Sequence, residues 1–219
     1  MASRIMTSPE AAQLIPDGAT VALCGCLSVL EPDAVLQGIE ARYLQQGHPR
    51  DLTVIHPVMV ASRKGSGINR FAHDGLMRRV IGGSFSIFPD YEITGMIKQD
   101  RVEAYNLPIG TIFHWLRESG AGRPGLLTAV GLQTYIDPRV EAGRANAAAK
   151  EPLSQIVQLA GREWLFYPAL KVDVAIIRGT SADPQGNISV EHEPASLGIF
   201  YLALAAKRST VRWGRSLSG

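Results

Sequence analysis

Cysteine is nearly missing from this chain of 219 residues, which has two, Cys24 and Cys26. Set one residue apart, they are too close for ordinary disulfide geometry and too few for a structural zinc site, so both are expected as reduced thiols. No apolar run approaches the ~18 residues of a membrane span, and Met1 to Glu10 lacks the charged-then-apolar order of a signal peptide. The expectation is a cytosolic protein with no membrane partner. Charge of either sign is not in excess: 22 Lys and Arg stand against 20 Asp and Glu, for a net charge of +2. The arginines are scattered, which leaves no electrostatic footprint for nucleic acid. The one adjacent pair, Arg78 and Arg79, is explained by a solvated strand or helix end.

Several catalytic signatures are missing as well. The five histidines, His48, His56, His73, His114 and His192, show neither H-x-x-x-H nor H-E-x-x-H spacing, so no metal site is expected. No serine stands in a G-x-S-x-G elbow. Lys64-Gly65-Ser66-Gly67 is not a Walker A loop, because its lysine precedes the glycines, and the first strand-helix junction lacks G-x-G-x-x-G. Cys26 has no histidine close in sequence and nothing local that would lower its thiol pKa, which argues against a cysteine nucleophile.

What is present is an alternation of strands and helices in a chain that is 46% hydrophobic, long enough to bury one substantial core. Ser8-Pro9-Glu10 predicts an N-cap and a short helix to Leu14. Strands are expected at Ala19–Cys24, Leu52–His56, Arg79–Ile81, Val102–Tyr105 and Leu126–Val130. Helices are expected from Glu31-Pro32-Asp33, over Ile93–Gln99, over Pro108–Glu118 and over Ala195–Lys207. Residues 131–152 have no sustained period and read as an excursion. Gln155–Leu159 and Glu163–Tyr167 predict an antiparallel hairpin. The β-branched run Val172–Ile177 predicts a strand in the middle of a sheet covered on both faces. Gly186-Asn187 turns the chain into Ile188–Val190.

The whole reads as an α/β domain, a mostly parallel sheet with helices on both faces and an antiparallel element. In such sheets ligands gather at the carboxyl ends of the strands. There the sequence places Gly25-Cys26, Gly82-Gly83-Ser84 and Leu107-Pro108-Ile109-Gly110. Glu191 and Glu193, two apart on an extended segment, point the same way and offer a carboxylate pair, though a charged loop before the next helix accounts for them more simply.

Four stretches, in order and at matching intervals, resemble the first half of the acyl-CoA:acetate/3-ketoacid CoA-transferases, family I of the coenzyme A transferases. They are Asn106 to Gly110, Arg123-Pro124-Gly125, Val130-Gly131-Leu132-Gln133-Thr134 with Asp137-Pro138-Arg139, and Val172 to Thr180. Gly47 to Thr53, Arg79 to Gly83 and Asp183 to Ile188 extend the likeness, which runs from about Pro9 to Ser209. The resemblance implies a ribose-5-phosphate isomerase-like α/β domain, two of which make a complete enzyme. It also implies transfer of CoA between an acyl-CoA and a short-chain carboxylate or 3-ketoacid, with the CoA thioester as substrate and no tightly bound cofactor. A glutamate of the second domain forms a glutamyl-CoA thioester in that family, and its serine-glutamate-asparagine-glycine type motif does not occur in this sequence. On that analogy this chain holds no catalytic residue, and Gly25, Cys26, Gly82, Gly83, Ser84, Pro108, Ile109 and Gly110 line the acyl end of the site. The implied partners are a second-half, beta-type subunit and further copies in a homo-oligomer. A non-catalytic acyl or CoA binding module is the alternative.

Two places depart from the family pattern. Ile109 stands where the family has glutamine, whose amide faces the reacting acyl group, and the first loop holds the lone Gly25 where the family is glycine-rich. Residues 1–209 are expected to form the domain. After Ser209 the run from Thr210 to Gly219 leaves both the family pattern and any regular period. Permitted codons for it, read two bases later, restore the pattern, so a frameshift near Ser209 is expected.

Overall fold

The computed structural model describes residues 5–85 and 89–207; the tail from Thr210 lies outside them. Helix α1 (Ser8–Ala12) opens one residue earlier than expected, with Thr7 as its cap. The Thr7 hydroxyl accepts the Glu10 N–H at 3.4 Å, and the Glu10 carboxylate accepts the Thr7 N–H at 2.7 Å. Glu10 lies three residues after Thr7, the spacing a capping box needs, and only two after Ser8.

Strands β1 (Thr20–Leu23), β2 (Leu52–His56), β3 (Met77–Gly82) and β4 (Glu103–Asn106) alternate with helices α2 (Asp33–Gln46), α3 (Glu92–Lys98) and α4 (Ile109–Gly120). A 3₁₀ turn, Gly67–Phe71, falls between β2 and β3. Five strands form one parallel sheet in the order β4-β3-β2-β1-β8, where β8 is Val174–Ile176. Because strand side chains alternate between faces, the sheet divides the core in two. Val21, Leu23, Val54 and Val80 join α2 and α3 on one side, around Leu36, Ile39, Ile93 and Met96. Ala22, Ile55 and Ile81 face the other side, around Ile112, Trp115 and Leu116 of α4 and Leu202 and Ala205 of α5 (Ile199–Lys207). The expected parallel sheet with helices on both faces is therefore present.

Strand β5 (Gly125–Thr128) leaves that sheet and pairs antiparallel with β7 (Arg162–Pro168), which pairs with β6 (Gln155–Leu159). This is the antiparallel element, and its hairpin turns at Ala160-Gly161 as the sequence predicts. The Trp115 indole N–H donates to the Pro168 carbonyl at 2.6 Å and ties this small sheet to α4. The excursion after β5 carries no helix or strand longer than a bridge, and buried side chains hold it in place. Buried Asp137 accepts N–H groups of Gln133 and Arg139 at 2.8 and 3.0 Å and pairs with the Arg139 guanidinium. Asn146 bonds Ile97, Val102 and Ala104 backbone groups.

Three expectations need correction. Val172–Ile177 was expected in the middle of the sheet, but β8 spans three residues and, among the described residues, lies at the edge beside β1 alone. The apolar run instead reflects burial by the two helix layers: Val172 is buried in the core part that holds α5, and Ile176 in the part that holds α2. Asp173 fixes its register, its carboxylate accepting the Thr20 N–H at 3.0 Å and its own N–H reaching the Thr20 carbonyl at 2.9 Å. Helix α5 begins at Ile199 rather than Ala195. Leu197 and Gly198 take positive φ values of 41° and 69°, outside the helical region, and a Cβ on Gly198 would lie 2.3 Å from the Phe113 ring. Ile188–Val190 likewise shortens to β10 (Ile188–Ser189), paired antiparallel with β9 (Ser181–Ala182). No helix among the described residues is long and apolar enough to cross a membrane.

Candidate functional site

All five strands of the large sheet run the same way, so their carboxyl ends share one edge. After β1 the chain turns sharply at Gly25, whose φ is +131°, and a Cβ there would sit 3.2 Å from Val60 on the loop after β2. The Leu27 N–H donates to the Met59 carbonyl at 2.7 Å, and Cys26 and Val29 exchange backbone bonds of 2.9 Å in both directions. Cys26 is thus a turn residue, partly buried. Cys24 is buried; its thiol donates to the Leu30 carbonyl and accepts the Arg178 N–H, both at 3.3 Å. Burial pushes its pKa up to about 11, so it stays a thiol at neutral pH.

After β3 the two glycines allow close approach of three segments. A Cβ on Gly83 would lie 2.1 Å from the Pro57 carbonyl oxygen and 2.6 Å from Cγ1 of Ile109. The Gly83 N–H donates to the His56 carbonyl at 3.2 Å, and the Leu107 N–H donates to the Gly82 carbonyl at 3.0 Å. Asn106 and Tyr135 extend this corner, the tyrosine hydroxyl donating to Asn106 Oδ1 at 2.9 Å. Gly82, Gly83, Pro108 and Ile109 therefore meet at one place, with partly buried Ser84 next in the chain. Gly25 and Cys26 occupy the neighbouring position along the same edge, against Val60.

Helix α4 starts here. Pro108 holds the cap position without a side-chain cap bond, and a Cβ on Gly110 would meet open space. The N–H groups of the first turn have no intrahelical acceptor and carry the positive end of the helix dipole, a setting suited to a carbonyl, carboxylate or phosphate oxygen. Beside them the Ile109 side chain is 40% exposed. It brings apolar surface and no hydrogen-bond donor.

Two titratable groups at this edge were not singled out from the sequence. His56, the last residue of β2, is fully buried. Its Nδ1 lies 3.1 Å from the Val58 carbonyl, while Nε2 has no partner among the described residues. Burial pushes its pKa down to about 4, keeping the ring neutral. Glu31 is buried in the loop before α2, with Oε2 at 3.5 Å from the Ser62 hydroxyl and Oε1 without a partner among the described residues. Burial first, and then the Asp33 carboxylate, push its pKa up. Neither has a motif signal: His56 ends an ordinary strand, and Glu31 reads as a helix opener.

Glu191 and Glu193 do not form a pair. Glu191 accepts from the Ser181 and Ser189 hydroxyls, whereas Glu193 faces the Arg178 guanidinium at 3.4 Å. Their arrangement matches the charged loop.

Known proteins resemble this chain over most of its length. The family model described as Coenzyme A transferase matches residues 5–212. The caffeate CoA-transferase of Acetobacterium woodii is 36% identical over 212 residues, covering 94% of this chain and 39% of that enzyme. The acetate CoA-transferase subunit alpha of Escherichia coli K12 is 28% identical over 193 residues, 87% of this chain and 76% of that subunit. A crystal structure of the acyl-CoA transferase YdiF from Escherichia coli O157:H7, a thioester complex with CoA, superposes with a TM-score of 0.90 at 30% identity, covering 95% of this chain and 41% of that one. The chain thus spans about two fifths of the longer enzymes. With the sheet order and these likenesses in agreement, the chain belongs to the coenzyme A transferase family, as an alpha-type domain of its family I.

Proposed function

We propose that residues 1–209 form the first half of an enzyme that moves CoA between an acyl-CoA and a short-chain carboxylate or 3-ketoacid. The observation that carries this is the meeting of Gly82-Gly83 with Pro108-Ile109 at the open first turn of α4. It provides a narrow apolar wall and uncommitted N–H donors in one place.

In the proposed reaction a glutamate carboxylate of a second-half, beta-type polypeptide attacks the thioester carbonyl. The C–S bond breaks, CoA leaves as the thiolate, and an acyl-glutamyl anhydride remains. The thiolate then attacks the glutamyl carbonyl and releases the first carboxylate, leaving a glutamyl-CoA thioester. The incoming carboxylate reverses these steps, and the thioester's free energy is conserved. This chain's part is to enclose the acyl group, exclude water and set donors against developing oxyanion charge. Gly25, Cys26, Ser84 and Gly110 complete the proposed lining. CoA enters as substrate, no tightly bound cofactor takes part, and the assembly works in the cytosol as a homo-oligomer of paired halves.

A coupled assay of the purified chain with acyl-CoA donors and acetate tests this reading, alone and with a family second half added. Turnover is expected only in the mixture. Robust turnover by the chain alone would count against the proposal, and saturable CoA binding with no transfer in the mixture would favour a binding module instead.

A further inference from the structure

His56 is a buried imidazole with one nitrogen in use. A carbonyl oxygen only accepts, so the 3.1 Å contact from Nδ1 to Val58 requires the proton on Nδ1. Nε2 is then a lone-pair acceptor, and it has no partner among the described residues. Buried polar atoms are rarely left so without a role. The atom lies beneath Gly82, where a Cβ would come within 2.8 Å of Nε2 and 2.9 Å of Phe85 Cε1. Glycine there makes room for the two rings, which fill the space a side chain would take. The Phe85 ring meets the imidazole edge-on, centroids 5.6 Å apart, and is itself only partly buried.

The surroundings say what kind of group would fit. Met59 and Val60, just past the end of β2, are apolar and buried. Burial and the Val58 bond account for the neutral state of the ring, with no charged neighbour contributing. A cation would find no counter-charge here, and an anion would meet a lone pair. An uncharged N–H on an otherwise apolar chain suits both the acceptor and its walls. The amides of the pantetheine arm of CoA have that chemistry.

Resting on the reading of the chain as half a CoA-transferase, we propose that His56 is a substrate-positioning residue: when the Phe85 ring turns aside, Nε2 accepts a hydrogen bond from a pantetheine amide.

The test follows the imidazole ¹⁵N signals of the full 219-residue chain during titration with CoA, with pantetheine and with 3′-phosphoadenosine 5′-diphosphate. The His56 Nε2 signal should move with the first two and stay put with the third. His56→Leu should weaken pantetheine binding about tenfold, the loss of roughly one hydrogen bond, while His56→Gln, which keeps an acceptor, should restore most of it. Phe85→Ala should tighten it. CoA binding with an unmoved Nε2 signal, or His56→Leu binding pantetheine like the wild type, would overturn the proposal alone. Failure to bind CoA even with a family second half added would overturn the proposed transfer function together with it.

Discussion

At the scale of single residues the site depends on small clearances and on burial that disfavours charge. Gly83 illustrates the first. A methyl group there meets the Pro57 carbonyl oxygen at 2.1 Å, backbone that cannot step aside cheaply. Gly83→Ala is expected to lower stability by about 1–3 kcal/mol, the usual cost of overpacking, measured as a shift in the urea midpoint. Glu31 illustrates the second. Its folded-state pKa is raised, so between the ordinary carboxylate range and that raised value the folded state holds more protons than the unfolded one. Stability must fall as pH rises through that window. Asp33 reinforces the shift, while Ser66, Arg63 and Ser62 oppose it. Glu31→Gln should remove this downward slope, so urea midpoints of mutant and wild type at pH 5 and pH 8 should show the mutant gaining relative stability at the higher pH. Ile109 bears on rate instead. If the family's glutamine amide stabilises the oxyanion, Ile109→Gln in an assembled enzyme should raise kcat by on the order of 10²-fold, the scale of one such donor, with little effect on the urea midpoint.

At the scale of elements, most of the fold was legible because hydrophobic period and turn chemistry agree. β2 runs from Leu52 to His56 as read, and the hairpin forms around Ala160-Gly161. What misled was composition taken as position. The β-branched run at Val172–Ile177 reports burial, which a covering helix supplies as well as a neighbouring strand. Likewise the alanine-rich stretch from Ala195 favours helix, but positive φ at Leu197 and Gly198 delays it to Ile199. The glycine and proline loops of the site were legible because sharp turns at strand ends need those residue types. His56 and Glu31 were not, since burial of a lone polar residue depends on contacts distant in sequence. Asp137 shows how such contacts hold an irregular segment. Its carboxylate serves two backbone N–H groups and Arg139, and its pKa is held well below the usual carboxylate range, first by the Arg139 bond. Asp137→Asn should cost about 1.5–3 kcal/mol, the worth of a hydrogen bond to a charged group, and should loosen residues 131–149 in hydrogen exchange before it affects β1 or β2.

At the scale of the whole molecule, one parallel sheet with a helix layer on each face brings five strand ends to a shared edge, and that edge carries the proposed acyl wall. Burial there disfavours reactive forms of the candidate groups, with Cys24 held as a thiol and His56 as a neutral ring. This suits a half-site that shapes and shields a reaction whose nucleophile comes from elsewhere. The most direct measurement is intact-protein mass spectrometry after incubating this chain and a family second half with an acyl-CoA, followed by peptide mapping. The account predicts a CoA thioester on a glutamate of the second half and none on this chain. A CoA adduct on any residue of this chain would contradict it.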